Sequence, residues 1–287
     1  MADLKTWQQC RDYTFKTRDA WRNGNGAKTM RINCEHFTRL RGSSFPVTKI
    51  TQPILHQVCV ELEEEGMADA TINRVISAVS TVLNHCAFDG KIDQPAKFRR
   101  RKENEARMFW FTKEEVERMV CLSTGVYERP ELADIIQFAA YTGMRQSEIL
   151  RIRAKDIDFH GNRIHVGGVH SQNTKTGNWR VIPIHESLVK ILQKRISQSS
   201  RSDAQLFGGD WTGKHQLLRA FKKVVRLLGK DDVYVFHCLR HSYGTWLVDS
   251  GVPLRHVMAL MGHKNIETTL RYAKATDEGL TRAMESI

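Results

Sequence analysis

Apolar residues recur every three to four positions through the first hundred residues, a spacing that predicts helices. The clearest apolar face comprises Ile72, Val75, Ile76, Val79, Leu83, Cys86 and Ala87. A second pattern opens at Pro53 and stops at Gly66, which suits the first turn and the end of a helix. Residues 28–40 predict a third helix, with basic residues among the apolar ones. We therefore expect a small, basic, helical domain over residues 1–95.

A strongly charged stretch interrupts this pattern. It reads PAKFRRRKENEAR and contains almost no apolar residues, so we place a linker at residues 96–107 between two domains. Beyond it, residues 112–115 (TKEE) have the form of a capping box and predict a helix through residue 120. Another helix is predicted over residues 130–141.

The periodicity changes in the middle of the second domain. Residues 163–166 and 180–184 have the composition of short strands and stand beside Gly-Asn turns at 161–162 and 177–178. After the second strand the pattern is helical again to the end. The predicted fold class is mainly α with a small antiparallel β-sheet in the C-terminal domain, residues 108–287.

The composition favours a polyanionic partner. Forty-four Lys and Arg against 32 Asp and Glu give a net charge of +12, and each phosphate that a cation neutralises releases condensed counterions. The charge is spread along the chain rather than concentrated on one amphipathic helix, which disfavours a membrane surface. No apolar run approaches the roughly 20 residues that span a bilayer. The first residues lack the apolar core of a signal peptide, so we expect a cytoplasmic protein.

Two cofactor motifs are nearly matched. His237 and His241 are spaced as in the zinc-binding H-E-x-x-H, but Cys238 stands where the glutamate base belongs. Residues 208–215 nearly fit a phosphate-binding loop, but His215 replaces the hydroxyl that binds Mg²⁺. The six cysteines lie far apart without a C-x-x-C pair, which favours reduced thiols over a zinc ribbon or disulfides. We expect neither a metal nor a nucleotide cofactor.

Two segments combine charged side chains with a helix boundary. Gly143 can end one helix and Arg145 begin the next, with Glu148 on the same face to orient the guanidinium. Alone, this is a helix corner with a surface ion pair. In a later helix, His237 and Arg240 project along one line, away from its expected core face.

Two further segments lie near the C-terminus. Gly262 is predicted to end a helix in a left-handed conformation and so to place His263 just beyond it. Taken alone, His263 is most simply explained as a residue that completes this helix cap. The apolar stripe of the next helix comprises Ile266, Leu270 and Ala273. Tyr272 is expected about 100° or more away from that stripe, as surface tyrosines are.

Together these residue types meet the requirements of phosphodiester cleavage. Two arginines can clamp phosphate oxygens, and histidines can relay protons or bind the phosphate near neutral pH. A tyrosine becomes a nucleophile when cationic groups favour its phenolate. The leaving oxygen needs a proton donor, and Lys175 in the turn NTKTG fits that need.

The ordered set of these residues resembles the tyrosine recombinase (phage integrase) family. The strings T-G-M-R-x-S-E, H-x-L-R-H-S, L-M-G-H and T-x-R-Y-A match that family's motifs between residues 111 and 274, and the first domain resembles its core-binding domain. The matching residues are Arg145, Lys175, His237, Arg240, Gly262, His263 and Tyr272.

The resemblance implies a role for each residue at the DNA. Tyr272 would attack the scissile phosphate, giving a 3′-phosphotyrosyl link and a free 5′-hydroxyl. Arg145 and Arg240 would hold the non-bridging oxygens, and Lys175 would protonate the leaving 5′-oxygen.

The remaining residues would assist this step. His237 would accept the tyrosyl proton, His263 would hydrogen-bond the phosphate, and Glu148 would support the first arginine. The bond energy is kept in the phosphotyrosine, so the resemblance implies no cofactor and no metal.

The resemblance also implies an assembly. The two domains would clamp DNA as a C-shape, and four protomers on two duplexes would exchange strands through a Holliday junction. The partners would be double-stranded recombination sites and accessory DNA-bending or directionality factors, on the nucleoid. Larger phage integrases carry an extra N-terminal domain that binds arm-type sites. Here the core-binding-like region begins almost at once, around residues 4–28, so simpler recombination sites are expected.

A phage or other mobile-element integrase is the expected biological role, and three alternatives stay open. A host Xer-like resolvase of chromosome dimers has the same chemistry. A type IB topoisomerase also shares it but performs no strand exchange. A non-catalytic DNA-binding relative would not explain why all six catalytic positions are filled.

Overall fold

A computed structural model of the protein describes residues 3–22, 26–103, 108–167, 179–199, 201–211, 213–273 and 284. The chain divides into two compact units, residues 1–106 and 107–287, and each has its own hydrophobic core. The six cysteines are free thiols, and all but Cys121 are buried. Across the described ranges, no helix has both the length and the apolar character needed to cross a membrane.

The described part of the first unit is helical. Its α-helices are α1 (Trp7–Thr17), α2 (Asp19–Arg22), α3 (Gly26–Arg41), α4 (Gln52–Glu64) and α5 (Asp69–Phe88). Thr6 and Gln9 form a capping box at the start of α1, and Pro53 occupies the first turn of α4. The three helices predicted from periodicity in this unit are confirmed.

The core of the first unit forms around α5. The residues of its predicted apolar face that are buried are Ile72, Val75, Ile76, Val79, Leu83 and Cys86. Trp7 joins α1 to α3, because its indole N–H donates to Thr38 Oγ1 at 2.9 Å and its ring meets Phe37 edge-on at 4.8 Å. Burying each large apolar side chain contributes about 1.5–3 kcal/mol.

Part of the charged stretch after α5 is fixed to the first unit. The amide of Asn73 donates to the carbonyl of Arg101 at 2.9 Å and accepts from its N–H at 2.8 Å. The Arg101 guanidinium donates to Asp69 at 2.8 Å, and Gln52 accepts from the N–H of Arg99 at 2.9 Å. Residues 99–101 therefore pack as part of this unit.

The described part of the second unit is mainly helical. Its elements are α6 (Lys113–Cys121), α7 (Pro130–Thr142), α8 (Gln146–Ile149), β1 (Ile157–Asp158), β2 (Arg163–Val166), β3 (Arg180–Pro183), α9 (Glu186–Ser197), α10 (Lys214–Leu227), α11 (His237–Asp249), α12 (Leu254–Met261) and α13 (Glu267–Ala273). The predicted capping box at Thr112 and Glu115 is present. The predicted fold class, mainly α with a small antiparallel sheet, is confirmed.

The sheet has the order β1-β2-β3, with antiparallel neighbours. Ile164 pairs with Ile182, and both side chains are buried. Asn162 has a positive φ of 52° in the turn before β2, as the Gly-Asn signal predicts. The second Gly-Asn pair, at 177–178, lies outside the described residues. β1 was not predicted, because two residues carry no readable alternation.

Helix α7 is central to the second core and ends where the candidate site begins. It is buried along most of its length, and Asp134 ties it to α9 through Arg195 Nε at 2.9 Å. Arg195 also binds Asp210 at 2.5 Å. Gly143 then ends α7 in a left-handed conformation, with φ 59°. This rigid helix therefore fixes the position of the corner that carries Arg145.

Candidate active site

Three arginines converge on the C-terminal end of α12. The helix stops at Met261 because Gly262 adopts a left-handed conformation, φ 65°, and its last carbonyls lack helical donors. The bonds that satisfy them are Arg180 Nε to Leu260 O (2.8 Å), Arg240 Nη2 to Met261 O (2.6 Å) and Arg145 Nη2 to Gly262 O (3.3 Å). The negative end of the helix dipole favours cations at this point.

Glu148 lies between Arg145 and Arg180. Its Oε1 accepts from the Nη1 atoms of both, at 3.1 and 3.2 Å. Its Oε2 accepts from Arg180 Nη2 at 2.8 Å and from the main-chain N–H of Arg145 at 2.9 Å. Burial alone would raise the pKa of Glu148, but bonding to Arg180 and then to Arg145 outweighs it and lowers the pKa to about 2. The ionised carboxylate thus orients both guanidinium groups.

Arg240 is 3% exposed and is held by main-chain oxygens. Besides the end of α12, it donates to the carbonyl of Gly143 at 2.6 Å. A Cβ at Gly143 would lie 2.3 Å from the ring of Tyr243, so glycine alone suits both its φ and its surroundings. Burial, followed by Arg145 and Arg180, lowers the pKa of Arg240 to about 10, which leaves it protonated at neutral pH. These carbonyls carry no formal charge, so the positive charge remains available to an anion.

Tyr272 lies in α13 and is 3% exposed. Its hydroxyl oxygen is 3.0 Å from Nδ1 of His241. Its ring stacks with the imidazole of His263, with centroids 6.2 Å apart and planes 6° apart, and His263 Nδ1 is 2.8 Å from Thr269 Oγ1. A Cβ at Gly244 would lie 2.7 Å from the phenol, so this glycine provides the space for the ring. Helices α11, α12 and α13 together fix the phenol.

Burial dominates the titration of the groups around Tyr272. It raises the pKa of Tyr272 against the opposing effect of nearby arginines, Arg240 foremost. This differs from the expectation that cationic neighbours would favour the phenolate. Burial, reinforced by neighbouring positive groups, lowers the pKa values of His241 and His263 to about 4. Both imidazoles are therefore neutral at neutral pH.

His237, expected as the proton acceptor, has a different neighbour. It is exposed, and its ring lies 4.8 Å from that of His241 at 87°. Desolvation by nearby atoms, then Arg240, lowers its pKa. The hydroxyl of Tyr272 instead hydrogen-bonds to His241, a residue expected from the sequence only as a possible zinc ligand. Its position directly after Arg240, one turn from His237, was the available signal.

The structure thus brings together most of the expected site residues. Arg145, Arg240 and His263 meet at the end of α12, and Tyr272 packs beside them. Lys175 lies outside the described residues. Arg180 was missed, because its contacts with Glu148 span 32 positions of sequence and have no local signal.

The expected apolar stripe of α13 was wrong. Ile266 and Leu270 are 39% and 41% exposed, whereas Thr269 and Tyr272 are buried. The helix faces the core with its tyrosine because Gly244 leaves room for the ring there. Among the residues that the structure describes, no group of three His, Cys, Asp or Glu side chains could hold a metal ion.

The chain is similar in sequence to known recombinases. Residues 109–278 match the model of the phage integrase family. The tyrosine recombinase XerA of Thermococcus onnurineus is 28% identical over 230 residues, 78% of each chain. The tyrosine recombinase XerC of Chlamydia caviae is 27% identical over 248 residues, 80% of this chain and 75% of the relative.

Solved structures share the fold. The Tn1549 transposon integrase in complex with transposon right end DNA has a TM-score of 0.81 and 20% identity, covering 98% of this chain and 99% of the other. A lambda integrase dimer bound to a core site has a TM-score of 0.73 and 17% identity, covering 94% and 77%. At such identities the likeness shows a common fold.

Proposed function

Since this chain belongs to the phage integrase family and is a tyrosine site-specific recombinase, we propose that Tyr272 is the residue that cleaves DNA. The bond from its hydroxyl oxygen to phosphorus forms as the bond from phosphorus to the 5′-oxygen breaks. The products are a 3′-phosphotyrosyl link and a free 5′-hydroxyl. Attack by the 5′-hydroxyl of another strand rejoins the DNA and releases Tyr272. The phosphotyrosine keeps the bond energy, so the step needs no metal or nucleotide to supply it.

The placement of Arg145, Arg240 and Tyr272 around one helix end supports this proposal above all. The two guanidinium groups hold the non-bridging oxygens, and fixed donors of this kind contribute a few kcal/mol each to the transition state. His263, stacked on the phenol, hydrogen-bonds the phosphate. Lys175 protonates the leaving 5′-oxygen.

The partner that we propose is double-stranded DNA carrying recombination sites. The net charge of +12 supports a polyanionic partner. The helical unit expected over residues 1–95 binds DNA, and residues 108–287 form the catalytic domain. Residues 96–107 connect them, and within this stretch residues 99–101 pack on the first unit. Four copies act together on two duplexes, with accessory DNA-bending or directionality factors, in the cytoplasm at the nucleoid.

Covalent capture on DNA tests the reaction. The probe is a library of randomised duplexes carrying random nicks. A nick just 3′ of the cleavage position lets the short fragment with the free 5′-hydroxyl diffuse away, so the DNA cannot be rejoined and the adduct is trapped. We expect adducts that survive denaturation, and none from Tyr272→Phe. Tyr243→Phe is the matched control, because it removes a tyrosine hydroxyl from α11 and leaves the nucleophile intact. Adducts formed by Tyr272→Phe, or none from the folded wild-type protein, would refute the proposal.

We propose integration or excision of a phage or other mobile element as the biological role. Similarity to XerA and XerC favours, as a second candidate, a resolvase of chromosome dimers. Sequencing the junctions made in cells separates them: joined element and chromosome ends indicate an integrase, and a single chromosomal site recombined with its copy indicates a resolvase. Relaxed supercoils without recombinant product would indicate a topoisomerase.

A further inference from the structure

Among the three histidines near Tyr272, His241 has the geometry of a proton acceptor. Its Nδ1 lies 3.0 Å from the phenol oxygen, with ring planes inclined at 49°. His263 stacks parallel to the phenol and shares its Nδ1 with Thr269, so it presents a ring face. His237 is exposed and meets His241 edge-on.

We propose that His241 is a further catalytic residue, which holds the hydroxyl of Tyr272 and accepts its proton during attack. The inference rests on the proposed function. Nδ1 accepts in the tautomer that carries its proton on Nε2. As the proton moves to Nδ1, the electron pair of the O–H bond forms the bond to phosphorus. The bond to the 5′-oxygen breaks, and that oxygen takes a proton from Lys175. Rejoining reverses each transfer.

The surroundings of His241 keep its imidazole neutral and therefore able to accept a proton. The groups that face it are His237 and Arg240 on α11, Arg271 and Tyr272 on α13, and His263 after α12. Burial, followed by the neighbouring positive groups, disfavours a protonated imidazole, so the ring is neutral before DNA arrives. A DNA phosphate brings negative charge to the same place and favours the imidazolium. DNA binding and proton acceptance by His241 are therefore coupled.

Two variants of His241 and one control test the proposal. His241→Leu removes the acceptor, and His241→Asn keeps a polar partner for the hydroxyl without a basic nitrogen. His256→Asn, at an exposed position of α12, is the matched control. The probe is a nicked duplex with the sequence captured by the wild-type protein. We expect single-turnover adduct formation to slow about 100-fold or more in both His241 variants, with DNA binding retained, and to be unchanged in the control.

Two chemical changes separate proton acceptance from packing. A duplex with sulfur at the bridging 5′ position needs no leaving-group proton, so it should rescue Lys175→Ala and leave His241→Leu slow. A fluorinated tyrosine at position 272 is more acidic and should restore part of the rate of His241→Leu.

The possible results distinguish a failure of the role proposed for His241 from a failure of the cleavage reaction proposed for Tyr272. His241 is excluded as the acceptor if both variants cleave at the wild-type rate while Tyr272→Phe is inactive. It is equally excluded if sulfur rescues His241→Leu, or if the acidic tyrosine restores nothing. Adducts that persist in Tyr272→Phe would instead overturn the proposed function, and the role of His241 with it.

Discussion

Replacing Glu148 with glutamine should lower the free energy of unfolding by up to about 3.5 kcal/mol at neutral pH. The side chain of Glu148 is 19% exposed, and its pKa is about 2 in the folded protein against an ordinary 4.5. That difference of about 2.5 units, at about 1.4 kcal/mol per unit, sets the magnitude. The physical reason is that a neutral amide cannot compensate the charges of Arg145 and Arg180, which would stay together without a counterion.

The pH dependence of this effect has a definite sign. A carboxyl whose folded pKa is lowered contributes its full stabilisation above its unfolded pKa of 4.5 and loses it as the pH falls towards about 2. Above pH 4.5, the difference in the free energy of unfolding between wild type and Glu148→Gln should stay constant. Below that pH the difference should shrink, because the wild-type carboxyl binds a proton on unfolding and the amide does not.

Urea unfolding followed by tryptophan fluorescence, from neutral pH down to about pH 3, measures the difference. Glu131→Gln is the matched control, because its pair with Arg129 at 2.8 Å involves a guanidinium that is 42% exposed and should contribute no more than about 1 kcal/mol. The reasoning would be refuted if Glu148→Gln lowered the free energy of unfolding by no more than this control does. A difference that does not change with pH would refute it as well.

Two further substitutions test packing at the site and in the core. Gly244→Ala should lower the free energy of unfolding by about 1–3 kcal/mol and slow adduct formation, because its Cβ would lie 2.7 Å from the phenol of Tyr272. Gly209→Ala is the control, since open space surrounds that position, and it should change neither stability nor rate. Arg195→Met should lower the free energy of urea unfolding by about 1–3 kcal/mol, because it removes the bonds to Asp134 and Asp210 while Lys194 still pairs with Asp134. It should leave the captured cleavage sequence unchanged. The exposed Arg201→Met should lower the free energy of unfolding by less than about 1 kcal/mol.

The helices that the sequence predicted well are those whose pattern repeats over several turns. The face of α5 from Ile72 to Cys86 contains enough apolar positions to define both the helix and its buried side. Helix α13 has only seven residues, so three apolar positions decided the predicted face. All three, Ile266, Leu270 and Ala273, are exposed. The space beside Gly244 decides the orientation of α13, and it belongs to another helix.

The candidate site was only partly predictable for the same reason. Arg145, Arg240 and Tyr272 came from motif strings that resemble a family. The partners that hold them did not, since the bond from His241 to Tyr272 joins positions 31 apart and that from Arg240 to Gly143 joins positions 97 apart. Periodicity describes one helix or strand at a time and contains no information about contacts between distant elements.

The end of α12 explains how the site can be both rigid and positively charged. A carboxylate beside each arginine would fix it in place but would also cancel the charge that a phosphate needs. Here a single carboxylate, Glu148, serves two of the three guanidinium groups, and helix carbonyls without formal charge hold all three. A net positive charge therefore remains beside Tyr272, fixed before DNA binds. An attacked phosphodiester gains negative charge, so its stabilisation requires no reorganisation of the protein at that moment.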